Sequence, residues 1–219
     1  MNRLSYHFAA AALAMAACLP HGGHAAPIQV LSEGFDNLAG LSDWVLVNRS
    51  LPPGTGWFQG NPDVFIAESG ADDAYAAANF LGAANGIGLV DNWLVTPVLN
   101  LSGWTRLSFF TNRAGAPGFD DRIEVRFAAG SGTGPEAFGA LLASIGGDGF
   151  PAQWQQWNRS IAAEGPGRFA FRYRGDTADL DYVGLDTVSV VTGVPEPASW
   201  LLIAGGAGLL AFGRRRPVR

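Results

Sequence analysis

Arg122-Ile123-Glu124-Val125-Arg126-Phe127 alternates polar and apolar side chains without an error. Arg168-Phe169-Ala170-Phe171-Arg172-Tyr173-Arg174 does the same, with Phe169, Phe171 and Tyr173 on one side and the arginines on the other. Side chains of a strand project to opposite faces in turn, so this period of two marks strands with one buried and one wet face. Leu107–Thr111 and Val183–Val191 read as further strands, the second broken at Asp186-Thr187. Turn formers separate these runs at Pro52-Pro53-Gly54, Asn85-Gly86, Ala116-Pro117-Gly118, Gly130-Ser131-Gly132 and Gly165-Pro166-Gly167. Many short strands at such spacing predict an all-β, jelly-roll-like β-sandwich between about residues 27 and 192. Ala74–Leu81 has helical propensity but lies between turn signals, and its state stays open.

The two ends follow a different logic. Arg3 precedes an apolar run of 12 residues, Phe8–Leu19, and small residues follow up to Ala25-Ala26. That layout predicts a signal peptide over 1–26, cut after Ala25 because Pro27 hinders cleavage directly before it. Met15-Ala16-Ala17-Cys18 approximates a lipoprotein box, a competing way to process the same leader. At the other end, Pro195-Glu196-Pro197 precedes 15 apolar residues, Ala198–Phe212, and then Arg214, Arg215 and Arg216. As a helix those 15 residues rise about 22 Å at about 1.5 Å each, short of the roughly 20-residue span. Guanidiniums resist crossing, so the arginines predict a cytoplasmic end, a transmembrane helix and a domain outside. In order and spacing, residues 193–219 resemble the PEP-CTERM sorting signal of exopolysaccharide-producing Gram-negative bacteria. The resemblance implies an exosortase, an integral-membrane enzyme that reads Pro195, Glu196 and Pro197, as partner, and a tail that is transient.

The middle carries a second resemblance. Glu33-Gly34-Phe35-Asp36 stands near its start, and Asp91-Asn92-Trp93-Leu94-Val95-Thr96-Pro97-Val98-Leu99 leads into Leu107-Ser108-Phe109. Asp121–Val125, Arg168–Tyr173 and Gly184-Leu185-Asp186 follow in order. Together these phrases resemble the choice-of-anchor J domain, related to cleaved-adhesin and MAM-type jelly rolls. That likeness implies a surface-exposed sandwich of adhesin-like or secreted proteins, with no single activity attached. It also implies a structural calcium ion between first and last strands, for which Glu33, Asp36 and Asp186 are the candidate ligands and Asp91 a weaker fourth. Hard cations take carboxylate oxygens, and a cysteine-free exported domain gains from a metal staple. The bland alternative makes Asp36 and Asp186 turn or cap residues.

Composition narrows the chemistry further. All three histidines and the one cysteine lie in the first 24 residues, and the chain has no lysine. Once the leader is removed, Ser-His-Asp and Cys-His catalysis, His/Cys zinc sites and Schiff bases are unavailable. Of 14 arginines, Arg3 and four in the tail leave nine in the middle, against 18 of the 19 acidic residues. A domain with that acidic excess is a poor nucleic-acid binder. No organic cofactor motif is present. A glycosidase would need a carboxylate pair, with Glu33, Glu68, Glu124 and Asp120 as candidates, but the sequence fixes no separation.

Six tryptophans remain outside the tail and leader, and most fill core in a sandwich. Trp154 and Trp157 cannot both face inward on a regular strand, because a separation of three reverses the face. They are the candidate sugar platform. The chain therefore reads as an exported, non-catalytic envelope or matrix protein, adhesive or associated with exopolysaccharide or a surface glycan. The alternative is a weak carboxylate-dependent carbohydrate-active enzyme.

Overall fold

A computed structural model describes residues 26–194. Residues 1–25 of the expected signal peptide, with Cys18, and the Pro195-Glu196-Pro197 element, the apolar run and the terminal arginines fall outside the described residues. Among those described, no helix is long and apolar enough to cross a membrane.

The predicted alternation does build a sandwich of two antiparallel sheets. The first contains β1 (Ile28–Glu33), β3 (Phe58–Gln59), β4 (Ala76–Asn79), β7 (Trp104–Arg113), β10 (Gln155–Ala162) and β12 (Tyr182–Thr192). Its order is β10-β7-β12-β4-β3, with β1 continuing the β4 side of β12. The second contains β2 (Val45–Asn48), β5 (Leu89–Val95), β6 (Leu99–Leu101), β8 (Arg122–Ala129), β9 (Ala140–Gly146) and β11 (Gly165–Asp176). Its order is β2-β5-β11-β8-β9, with β6 also on β11. Sequence neighbours repeatedly lie in opposite sheets, the jelly-roll habit.

Inward side chains from both sheets make one core, including Leu94, Leu107, Phe109, Ile123, Phe171 and Val190. Phe109 of the first sheet meets Phe171 of the second edge to face at 5.2 Å between ring centres. Burying a side chain of this size contributes about 1.5–3 kcal/mol. The run Ala74–Leu81 becomes strand β4 followed by a 3₁₀ turn, Phe80–Gly82. Tertiary position overrides alanine's helical preference: β4 is wedged between β12 and β3, and Ala76, Ala77 and Ala78 are fully buried.

The outer faces differ. On the first sheet, Phe65, Tyr75, Trp154 and Tyr182 form an aromatic satellite cluster over β4 and one end of β12. Tyr75 and Tyr182 share a hydroxyl contact of 3.1 Å, and both accept from the Asn61 N–H. The segment around Asn61–Ala67 thus lies over that half of the sheet. The other half, toward Thr192, stays open.

Candidate functional site

The open half is polar by register. On β10, β7, β12 and β1 the residues Asn158, Ser108, Ser189 and Ser32 stand side by side in one cross-strand row. The next outward row is Ser160, Arg106, Val191 and Gln29. Each row crosses three strand gaps of about 4.8 Å, roughly 14 Å. Alternation explains the surface: Leu107, Val188 and Val190 turn into the core, so their neighbours turn out. The Gln156 amide donates to the Ser108 hydroxyl at 3.0 Å, placing both on this face. Arg106, Ser108, Gln156, Asn158, Thr187, Ser189 and Val191 line a groove of about 410 Å³ on β10, β7 and β12, and Ser160, Ser32 and Gln29 continue its rows to either side. Its surface offers hydroxyls, amides and one guanidinium, and a single apolar side chain, Val191. Such a set suits a hydroxyl-rich ligand by many weak hydrogen bonds.

One end of the groove is built from a break in β12. Pairing with β7 slips between Asp186 and Ser189, and Thr187 takes a φ of 49°. A β-branched residue rarely occupies that region, so the bulge is held by its surroundings. Asp186 supplies the hold. It is fully buried, and its carboxylate accepts from the N–H groups of Glu68, Ser69 and Thr187. The Thr187 hydroxyl donates to the Glu68 carboxylate at 2.8 Å. Burial pushes the Asp186 carboxyl up to about 6; the three amide donors lower it in part, and the Glu68 charge raises it.

The four candidate calcium ligands divide. Glu33 pairs in register with Val188, two residues past Asp186, so both lie near the bulge. The Glu33 carboxylate accepts from the Phe35 N–H at 2.8 Å. Asp36 borders Gly70, where an added Cβ would stand 3.1 Å from its Oδ1, next to the Glu68–Ser69 amides that hold Asp186. Asp91 does not join them. It sits on the second sheet, where its carboxylate accepts from Arg172 at 2.6 Å and from the Trp93 indole at 2.7 Å. Expecting Asp91 as a fourth ligand is thus corrected: its neighbour Arg172 neutralises it. Among the described residues no three acidic, histidine or cysteine side chains close on a common point.

The outer face of the second sheet is a charge network rather than a cleft. Glu124 is buried and accepts from Arg126 at 2.8 Å, Arg174 at 3.1 Å and Arg172 at 3.2 Å. Arg172 also stacks over the Trp93 ring at 4.8 Å. Burial alone would raise the Glu124 carboxyl, but Arg126 and Arg172 outweigh it and hold its pKa below the ordinary value. Glu124 is therefore a fixed anion among guanidiniums and a poor general acid. Asp120 faces Arg122 at 3.4 Å, and Glu68 is occupied by Thr187.

The tryptophan pair also divides. Trp157 pairs with Phe109, turns toward the core, and donates from its indole to the Thr111 hydroxyl at 2.9 Å. Trp154 precedes β10 and packs edge-on against Phe65 and Tyr75, donating to the Ile66 carbonyl at 2.8 Å. They face opposite ways and make no shared platform. The expectation of a stacked indole surface is corrected accordingly. Sequence reasoning missed the polar rows, because an outward Ser or Asn on a strand looks like any solvated position until register aligns four of them.

Two sheets over one core, with a hydroxyl-and-amide groove on one outer face, define a jelly-roll-like β-sandwich. More particularly, the fold is that of cleaved adhesin domains. The K3 cleaved adhesin domain of Lys-gingipain from Porphyromonas gingivalis W83 superposes with a TM-score of 0.62 at 23% identity, covering 76% of this chain and 99% of that one. The K1 domain of the same protein gives 0.59 at 24% identity, covering 76% and 98%. The K2 domain gives 0.55 at 18%, covering 75% and 99%. Residues 193–216 match the PEP-CTERM protein-sorting motif, so the chain carries a signal for export and membrane-associated sorting. No curated protein matches the chain in sequence.

Proposed function

We propose that this protein is a non-catalytic, surface-displayed sandwich that associates with polysaccharide through the groove on β10, β7 and β12 and the row residues beside it on β1. An exosortase processes its tail and sets its final place at the cell surface. The observation that carries the reading is the pair of cross-strand rows, Asn158-Ser108-Ser189-Ser32 and Ser160-Arg106-Val191-Gln29. Sugars present rings of hydroxyls at similar spacing, and a row of small donors and acceptors meets them without a deep pocket. The acidic candidates for an enzyme are engaged elsewhere, with Glu124 held by three arginines. The test is affinity electrophoresis of the full chain in mild detergent through gels cast with polysaccharide. Retardation lost in the double variant Asn158→Ala/Ser189→Ala supports the reading, and equal mobility in every gel overturns it.

A structural calcium ion at the corner of Glu33, Asp36 and Asp186 is proposed as a second feature. It is supported by the approach of Asp36 to the Glu68–Gly70 segment and by the register of Glu33 beside the bulge. Its role there would be to tie β1 to β12, with no part in any reaction.

A further inference from the structure

We propose that the groove reads an anionic substituent on its polysaccharide, with Arg106 as the residue that binds it; the inference rests on the groove reading above. Arg106 is the only charged side chain among the groove's lining residues. It is exposed, and among the described residues it has no carboxylate partner and no hydrogen-bond acceptor.

That isolation is unusual within this molecule. The sandwich holds nine arginines against 18 acidic residues, so acceptors are abundant. The other eight all find one. Arg49 faces Glu136, Arg122 faces Asp120, and Arg126, Arg172 and Arg174 converge on Glu124. Arg113, Arg159 and Arg168 donate to the carbonyls of Phe119, Asn158 and Thr96. Among the described arginines, Arg106 alone is exposed with no acceptor, set among serine and amide side chains. A guanidinium offers a planar fork that matches a carboxylate or a sulfate ester with two parallel hydrogen bonds.

The groove also has a polarity. Arg106 stands opposite Val191, whereas Thr187 and its Glu68 partner mark the other end, past Ser189. A polymer lying along the groove is therefore drawn to place its anionic group at the Val191 end and neutral hydroxyls toward Thr187. A neutral glucan would satisfy the serines and amides but leave the guanidinium to water. Uronic-acid polymers and sulfated polymers share the required chemistry, and the choice between them is read by experiment.

The full chain in mild detergent is titrated by calorimetry with polygalacturonate, dextran sulfate and neutral dextran. The expected result is tighter binding of at least one anionic polymer than of dextran, and a loss of about tenfold on Arg106→Gln, the scale of one charge-assisted contact. Whichever anionic polymer binds tighter names the substituent. Arg122→Gln, which removes the same charge from the second sheet, leaves affinity unchanged. Matching melting midpoints for the two variants and the parent exclude unfolding as the cause. Unchanged anionic binding in Arg106→Gln overturns this proposal. If Asn158→Ala/Ser189→Ala still loses binding in that case, the groove reading survives alone. Equal affinity for dextran and both anionic polymers also overturns the anionic preference, and no binding of any polymer brings down the groove reading with it.

Discussion

The Thr187 hydroxyl donates to the Glu68 carboxylate at 2.8 Å, tying the bulge of the last strand to a loop 119 residues earlier. Directly behind it, the buried Asp186 carboxylate accepts three backbone N–H groups from the same two segments. Asp186→Ala strands those donors in a space that water enters poorly. The expected loss is about 2–4 kcal/mol, since each buried unsatisfied donor costs about 1–3 kcal/mol and the loop can partly re-solvate. Asp186→Asn keeps one acceptor oxygen and falls between parent and alanine variant. Urea denaturation of the three proteins checks the order; equal midpoints would remove Asp186 from the account of the bulge.

Calcium at this corner has its own signature. An ion that binds only the folded state stabilises it by mass action. Melting with 1 mM calcium, about the extracellular range of weak sites, against excess chelator should separate the midpoints by several degrees. Asp36→Asn should erase the difference, whereas Asp91→Asn should not, because Asp91 is paired with Arg172 on the second sheet. Identical midpoints for the parent with and without chelator dispose of the ion.

Glu124 makes stability depend on acid pH. Its carboxyl is held below the ordinary value of 4.5 by Arg126 and Arg172, against the opposing effect of burial. A carboxyl depressed in the folded state binds fewer protons folded than unfolded. Its contribution is therefore complete above the ordinary carboxylate pKa and is lost as pH falls through the lower folded value. Glu124→Gln should cost about 2 kcal/mol at neutral pH, less than a wholly buried pair because Arg174 is partly exposed. The gap between variant and parent should narrow as pH falls below the ordinary carboxylate value and close only below the lower folded one. A gap that stays constant down to pH 3 would show that shape, not charge, holds this face together.

Much of this architecture was visible in the residue order, and the reasons are local. Arg122–Phe127 and Arg168–Tyr173 became β8 and β11 because one-sided burial imposes its period on the sequence. The break at Asp186-Thr187 became the bulge of β12. The spacing of Trp154 and Trp157 excluded two inward indoles on one regular strand, but Trp154 lies before β10, and nothing local showed that the indoles would be occupied by Ile66 and Thr111. Strand β4 was illegible because its alanines are selected by crowding from β3 and β12, a property of partners remote in sequence. The groove stayed hidden for a similar reason. Arg106, Ser108, Asn158 and Ser189 acquire meaning only from cross-strand register, which no single segment encodes. Asp91 misled because its carboxylate type fits calcium, while its partner Arg172 lies 81 residues away.

Gly184 offers a test that separates the covered half of the first sheet from the open half. It lies outward on β12, and a Cβ there would meet Phe65 Cε2 and Trp154 Cη2, each at 2.8 Å. Those rings cannot simply retreat. Trp154 is held by its bond to the Ile66 carbonyl, and Phe65 is packed against Tyr75 at 5.0 Å. The strand cannot retreat either, because β7 and β4 flank it on both sides at this level. Gly184→Ala should therefore cost about 1–3 kcal/mol by overpacking. The double variant Gly184→Ala/Trp154→Leu should recover part of that loss, since the smaller side chain frees the space, although it also gives up aromatic contacts. Polysaccharide affinity of the folded fraction should not change, because Ser189 and Ser108 lie beyond the bulge from Gly184. Denaturation midpoints check the first two statements and gel retardation the third. A Gly184→Ala protein as stable as its parent would mean that the aromatic cover is loose enough to lift, and that the boundary between the two halves of this face is not fixed by packing.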